Sequence, residues 1–558
     1  MPEFSLTALD ISAVVLYALV IFGIGLYFSR KTEDGEDYFL AGRSLTWGLI
    51  GISLLASNLS SSSMIGMAGE AYGGIGLAVF NYEWMAAMVL VVFVLFFLPF
   101  YIKSGIYTMP EFLEKRFDGR SRVYFSAVSI FLSVVVDTAA ALFAGALVVE
   151  LIYPDFPLWG TMTILALIAG AYTIAGGLKA VVYTDAIQGT LLLVGAAAVS
   201  VMAWNAVGGW DAVTAVTPPE QLSLAQSFDQ EPGVPWYQEG GMTWLGLFTG
   251  VFLLGFYFWT TNQFMVQRVL GAKNLDHGRW GALFGGLLKI PILFLMVMPG
   301  TFARVLYPNI ERADQVFPTL LFDLLPGGFR ALVLTAMLAA IMSSVDSTLN
   351  AASTLVTMDF IKRKRPGISS QALVRIGRIV TFVCMVFAIA WSPVILGFDT
   401  LWSYLQTTLA YVAPPALALF ILGVFWKRAT ATGAITGMAA GHLTAVAFLI
   451  LGPVWKAQTT VRDAAGEVVT EGAFAAPIFG ISFLYLAPIL LLVAMAVMVA
   501  VSLRTPAPGP EKTEGLTWSP AFFRAESAEL RQVPLWKNYR VQAAALVVVT
   551  LIVVGLFW

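Results

Sequence analysis

Long apolar runs separated by short polar ones divide this chain, and the runs have the length of bilayer crossings. A helix rising 1.5 Å per residue needs roughly 20 apolar residues to cross hydrocarbon. By that measure about fourteen spans are expected. They lie near residues 9–29, 45–71, 75–101, 122–152, 157–176, 181–206, 241–266, 278–305, 328–358, 372–394, 399–425, 430–453, 474–502 and 540–557. The pattern predicts an all-α polytopic membrane protein. One sizeable hydrophilic stretch, about 503–539, opens with Pro506, Pro508 and Pro510 and reads as a cytoplasmic linker.

The second span breaks its own pattern. From Leu54 to Met67 an apolar run fills with Ser57, Asn58, Ser60, Ser61, Ser62 and Ser63. Backbone groups in lipid must be satisfied within the helix, so weak helix formers at mid-depth predict an interruption. Interrupted helices are where secondary transporters offer carbonyls to cations and helix ends to substrates. Small residues also serve close helix packing, and the stretch alone leaves both readings open.

Charge supplies the orientation. Basic residues gather in alternate loops, at Arg30-Lys31, Lys115-Arg116, Arg268 with Lys273, Lys362 to Arg365, and Lys427-Arg428. The opposite loops carry Asp211, Glu220, Asp229, Glu231 and Glu239. The positive-inside rule then puts both termini outside the cytoplasm. With no basic segment ahead of it, the first apolar run is expected to persist as a helix rather than be cleaved.

Composition removes other classes. The chain is 58% hydrophobic and 12% charged, with a formal charge of -2. That excludes an ordinary soluble domain and gives no pull toward nucleic acid. One cysteine, Cys384, precludes an internal disulfide, and the two histidines, His277 and His442, do not form a metal motif. No nucleophile and base occur together in a soluble portion, so an enzyme is not expected.

Five ionisable residues fall inside the spans: Glu83, Asp137, Asp185, Lys289 and Asp346. Such residues are costly in lipid and point to function by default, with a structural ion pair as the alternative. Lys289 needs an anionic or multiply accepting partner, and Glu83 is the natural candidate. Ser343, Ser344, Asp346 and Ser347 make a polar patch on the ninth span, an oxygen set suited to a hard cation.

Ordered motifs then carry a resemblance. They are Asp37-Tyr38-Phe39-Leu40-Ala41-Gly42-Arg43, Ala56-Ser57-Asn58, Tyr82-Glu83-Trp84 and Gly105-Ile106-Tyr107-Thr108-Met109-Pro110-Glu111-Phe112. Further ones are Gly176-Gly177-Leu178-Lys179-Ala180-Val181-Val182-Tyr183-Thr184-Asp185-Ala186-Ile187-Gln188, Gln263, Gln267-Arg268 with Ala272-Lys273, and Asn350 to Asp359. Over nearly its whole length the chain resembles the sodium/solute symporter family, in its sodium/glucose and sodium/galactose cotransporter branch.

The resemblance implies a LeuT-like core of five plus five helices in an inverted repeat, with the first and sixth core helices broken. It divides the chain into residues 1–44 with a first peripheral helix, 45–206 as the first repeat, 207–240 as an extracytoplasmic loop, 241–425 as the second repeat, and 426–558 as peripheral helices and linker. It also implies sodium-coupled import of a hexose, such as glucose or galactose, by alternating access across a plasma membrane, here expected to be a bacterial inner membrane. The partners are then the sugar, sodium and the lipid bilayer.

By similarity, sodium would be held by the carbonyls of Ala56, Leu59 and Ala340 and the hydroxyls of Ser343 and Ser344. The sugar would meet Asn58, Glu83, Lys289, Gln406 and the face of Trp259. Met67 and Tyr82 would gate the outside. A second sodium site is expected at Asp185, Ser343, Asp346 and Ser347, so that one or two ions move per substrate. Three positions depart from the family pattern. Ser63 stands where sugar-transporting relatives carry His or Gln, Phe258 where an inner-gate Tyr is usual, and Ala86 where a polar residue often helps. They leave the sugar open, with an inositol, a monocarboxylate, a sialate or an amino acid as alternative substrates. A sugar sensor that binds without transporting is the alternative from another class.

Overall fold

The computed structural model describes residues 8–29, 40–59, 61–150, 153, 155–228, 236–237, 242–398, 400–459, 461–462, 468–470 and 481–558. The apolar runs become helices close to the expected positions. In order these are α1 (Ala8–Ser29), α2 (Trp47–Asn58), α3 (Ser61–Gly73), α4 (Gly76–Lys103), α5 (Gly119–Glu150), α6 (Leu158–Val207), α7 (Trp244–Thr260) and α8 (Gln263–Leu270). There follow α9 (Leu275–Leu287), α10 (Leu293–Leu306), α11 (Gly327–Leu355), α12 (Ser370–Leu396), α13 (Leu401–Phe425), α14 (Ala431–Thr459), α15 (Phe483–Arg504), α16 (Pro520–Leu530) and α17 (Tyr539–Leu556). Among the described residues, eight helices are long and apolar enough to cross a membrane, or ten when each bent pair counts as one span.

The fifth and sixth expected spans differ from expectation. They lie in one continuous helical element, α6, as two apolar stretches, Leu158–Ala169 and Val181–Val207. The side chains of 170–180 fall outside the described residues.

The two bent pairs are α2 with α3, at 56°, and α7 with α8, at 47°. Their causes are local. The first bend falls at Leu59, whose φ of -77° and ψ of 68° leave the helical region. At the second, Thr261 takes φ -131°, and the Asn262 side chain accepts the Phe264 N–H at 3.3 Å, capping α8.

Small residues set the spacing around α2. A Cβ built on Gly189 of α6 would stand 2.8 Å from the Ala56 Cβ, and one on Gly281 of α9 would stand 2.7 Å from Ile50. Both helices therefore approach α2 as closely as backbones allow. Arg116 fixes the far end of α13. Fully buried, its guanidinium donates to the carbonyls of Gly423 at 2.7 Å, Trp426 at 2.9 Å and Ala429 at 3.2 Å, satisfying the unpaired end of that helix.

The 503–539 stretch is not the free linker that its prolines suggested. Ser519 caps α16, Pro520 occupies its first turn, and Phe522 packs on Phe100 with centroids 5.2 Å apart. The Trp518 N–H donates to the Val424 carbonyl at 2.9 Å. Glu526 then accepts from Arg279, Tyr539 and Arg540. An apolar face of Leu516, Trp518, Phe522 and Leu530 outweighs the local extension that proline imposes.

Candidate functional site

The site is built at the first bend. Because α2 stops at Asn58, its last carbonyls lose their intrahelical partners. The Leu59 N–H takes the Leu55 carbonyl at 2.8 Å, and the Ser63 hydroxyl reaches back across the bend to the Asn58 carbonyl at 2.8 Å. A cavity opens beside this turn. Its wall includes Ser57, Asn58, Ser62 and Ser63, then Tyr82 and Glu83 of α4, and Val136 and Asp137 of α5. Leu254, Gly255, Phe258 and Trp259 of α7 and Phe264 of α8 continue it. Ser344 and Thr348 of α11, with Trp402, Leu405, Gln406 and Leu409 of α13, complete it.

Five of the six expected substrate residues, Asn58, Ser63, Glu83, Trp259 and Gln406, thus share one wall although they come from four regions of the chain. Asn58 Oδ1 is buried and has no protein partner. Ser63 uses its proton within the bend.

Lys289 lies behind that wall. The bend between α9 and α10, made by Gly285, Gly286 and Pro291, carries its ammonium to 2.6 Å from Glu83 Oε2 and 5.2 Å from the Trp259 ring centroid. Both charges are buried, Lys289 at 0% and Glu83 at 3% exposure. The ion pair resolves the cost of each charge and turns the remaining Glu83 oxygen into a fixed acceptor.

The gates divide. Tyr82 lines the cavity and meets Trp402 edge-on, with centroids 5.1 Å apart. Met67 is fully buried and is not on the cavity wall. Trp402 is on the wall, its ring packed where a Cβ on Gly66 would stand 3.2 Å away. Nothing in the sequence distinguishes this tryptophan from others in apolar spans. Phe258 lines the cavity between Trp259 and Phe264, 5.4 Å from each by centroid.

For sodium, Ala56, Leu59 and Ser344 are buried at the bend, and α11 packs against both α2 and α3. Ser60 and the side chains of Ala340 and Ser343 lie outside the described residues.

Of the residues expected at a second sodium site, Asp185 and Ser347 are joined through the guanidinium of Arg268, which lies 3.0 Å from Asp185 Oδ2 and donates to Ser347 Oγ at 2.5 Å and Ser53 Oγ at 2.8 Å. Ser53 and Ser57 also donate to Asp185, at 2.7 and 3.1 Å. A permanent cation already meets those oxygens. Asp346, next to Ser347 and about 100° around the helix from it, is fully buried.

Comparison with known proteins agrees with this architecture. The sodium:solute symporter family model matches residues 38–441. The chain is 36% identical to sodium/glucose cotransporter 4 of Danio rerio, covering 95% of this chain and 83% of that protein. It is 35% identical to sodium/glucose cotransporter 1 of Oryctolagus cuniculus, over 94% and 83%. Identity is also 35% to a sodium/mannose cotransporter of Bos taurus, over 93% and 90%. Among solved structures, a Na+-coupled sialic acid symporter in a substrate-bound outward-open state superposes with a TM-score of 0.74 at 21% identity, covering 90% of this chain and 99% of that one. The fold is accordingly the LeuT-like one, with its first and sixth core helices broken at the two bends. Matched from residue 38 to residue 441 and aligned along more than nine-tenths of its length, the chain belongs to the sodium:solute symporter family, whose members are transporters and not enzymes.

Proposed function

We propose that this protein is a sodium-driven sugar symporter importing a hexose by alternating access across a plasma membrane, with both termini outside the cytoplasm. The observation that carries the reading is the shared cavity wall, where Asn58, Glu83, Trp259 and Gln406 stand beside the bend at Leu59. A hexose hydroxyl donates and accepts, so the amides of Asn58 and Gln406 and the free Glu83 oxygen serve several at once. The Trp259 face covers the sugar's C–H surface, and Lys289 holds Glu83 in place. The names of the relatives, which include glucose and mannose cotransporters, support a sugar and leave its identity open.

Sodium would bind at the bend, between the carbonyls of Ala56, Leu59 and Ala340 and the hydroxyls of Ser343 and Ser344. One ion per sugar is the stoichiometry we favour, because Arg268 already engages Asp185 and Ser347. The ion must bind the outward-open form more tightly, since a ligand shifts an equilibrium only by differential affinity. Its entry stiffens the turn that carries Asn58 and so couples ion to sugar. The sodium gradient, with about 2.3 kcal/mol per charge per 100 mV of potential, drives accumulation.

Proteoliposomes supply the test. Labelled hexose uptake should require inward-directed sodium, and Ser344→Ala should weaken the sodium dependence. Uptake at full rate without sodium would sink the reading.

A further inference from the structure

Asp137 stands on the same cavity wall as Glu83 and has no part in the scheme so far. It lies in the π-helical turn Leu132–Thr138, where one extra residue per turn redirects side chains, and the Thr138 hydroxyl donates to the Ser133 carbonyl at 2.7 Å within that turn. The Asn262 side chain is within hydrogen-bonding reach of its carboxyl group, and Asn262 is itself held by capping α8. Asp137 Oδ2 is buried with no partner. Among the described residues no Lys or Arg pairs with it.

A buried carboxylate oxygen without a donor is costly, and in a ligand cavity the ligand is the natural source of one. The sign of the cavity follows from the same residue. Glu83 is offset by Lys289, and the other described lining side chains are neutral at ordinary pH, so among the described residues Asp137 is the one lining carboxyl group without a paired cation. Ionised, it makes the site negative; protonated, it leaves the site neutral. Neither state offers a positive charge to an anionic ligand.

We propose that Asp137 contacts the substrate and sets its class, accepting a hydroxyl of a neutral polyol and rejecting carboxylate-bearing analogues. This rests on the sugar reading above, and deepens it by excluding anionic substrates. The hydroxyl gives Asp137 Oδ2 the donor it lacks, and a substrate carboxylate would find no cation there to offset its charge, and a like charge wherever Asp137 is ionised.

The test compares wild type, Asp137→Ala and Asp137→Asn in proteoliposome uptake assays under an inward sodium gradient, with a hexose, its mono-deoxy analogues and the corresponding hexuronate. In Asp137→Ala, the KM for the hexose should rise about 10-fold, as expected for one charge-assisted hydrogen bond, while half-saturation by sodium stays near the wild-type value. One mono-deoxy analogue that wild type discriminates against should be handled like the parent sugar by the variant. Asp137→Asn keeps the side-chain shape, and with it the fold, and should narrow the hexose-to-hexuronate preference about 10-fold. Unchanged KM, analogue profile and hexuronate exclusion in both variants would overturn the role of Asp137. Wild-type vesicles that accumulate no hexose overturn the symport reading instead, before any variant is compared.

Discussion

The guanidinium of Arg268 on α8 lies 3.0 Å from the Asp185 carboxylate on α6, and both groups are buried to within 1%. Through Ser53 and Ser347 the same guanidinium reaches α2 and α11, so one cation ties four elements of the core. Arg268→Lys should not substitute for it, because a point ammonium cannot fork toward Asp185, Ser53 and Ser347 together. Arg268→Ala leaves a buried unpaired carboxylate and should cost about 3–5 kcal/mol. Thermal unfolding in detergent checks both, with Arg268→Lys expected to fall between wild type and Arg268→Ala.

Glu83 and Lys289 should fail separately and less so together. Lys289→Ala alone strands a buried carboxylate, at a cost of about 3–5 kcal/mol, whereas the double change to Gln and Met removes both charges. Melting temperatures should therefore recover in the double variant while hexose affinity does not. Recovery of affinity as well would show that Glu83 serves packing only.

Close approach at Ala56 gives a prediction about the ion. Gly189→Ala places a methyl 2.8 Å from the Ala56 Cβ, so α6 and α2 must separate. Overpacking of this kind costs about 1–3 kcal/mol. Displacement of the Ala56 carbonyl should also raise the sodium concentration for half-maximal uptake, measured at saturating sugar.

The α16 contact makes an acid-sensitive joint. Burial pushes the Glu526 carboxyl up, but Tyr539, Arg279 and Arg540 together outweigh it and hold its pKa below the ordinary glutamate value. A folded-state pKa below the unfolded one gives stability that is present above the unfolded pKa and lost as pH falls through the folded one. Limited proteolysis of the 503–539 segment should therefore accelerate below about pH 4.3, the usual glutamate pKa. Glu526→Gln should be cleaved faster at neutral pH and lose that acid step.

Much of the site was readable before any contact was known, for definite reasons. Asn58 announces itself as an amide amid an apolar span, and Glu83 and Lys289 as charges where lipid forbids lone ones. Their meeting across 206 residues was a matter of charge pairing. Trp402 and Phe264 had no such mark, because an aromatic residue in an apolar span is ordinary until its neighbours are known. Met67, expected as an outer gate, is buried off the described cavity wall, and its neighbour Gly66 packs against Trp402.

The sequence by itself determined that apolar helices cross a membrane, that one is interrupted within Leu54–Met67, and which charges had to find partners. These follow from local rules: hydrocarbon thickness, helix propensity and the cost of burying charge. Tertiary structure alone decided which partner each group found. It put Arg268 against Asp185 and Ser347, set Lys289 against Glu83 and Trp259, docked the 503–539 segment, and left Asp137 on the cavity wall. The physical reason is that pairing depends on distances between helices, and those are set by how small residues such as Gly189 and Gly281 let backbones approach.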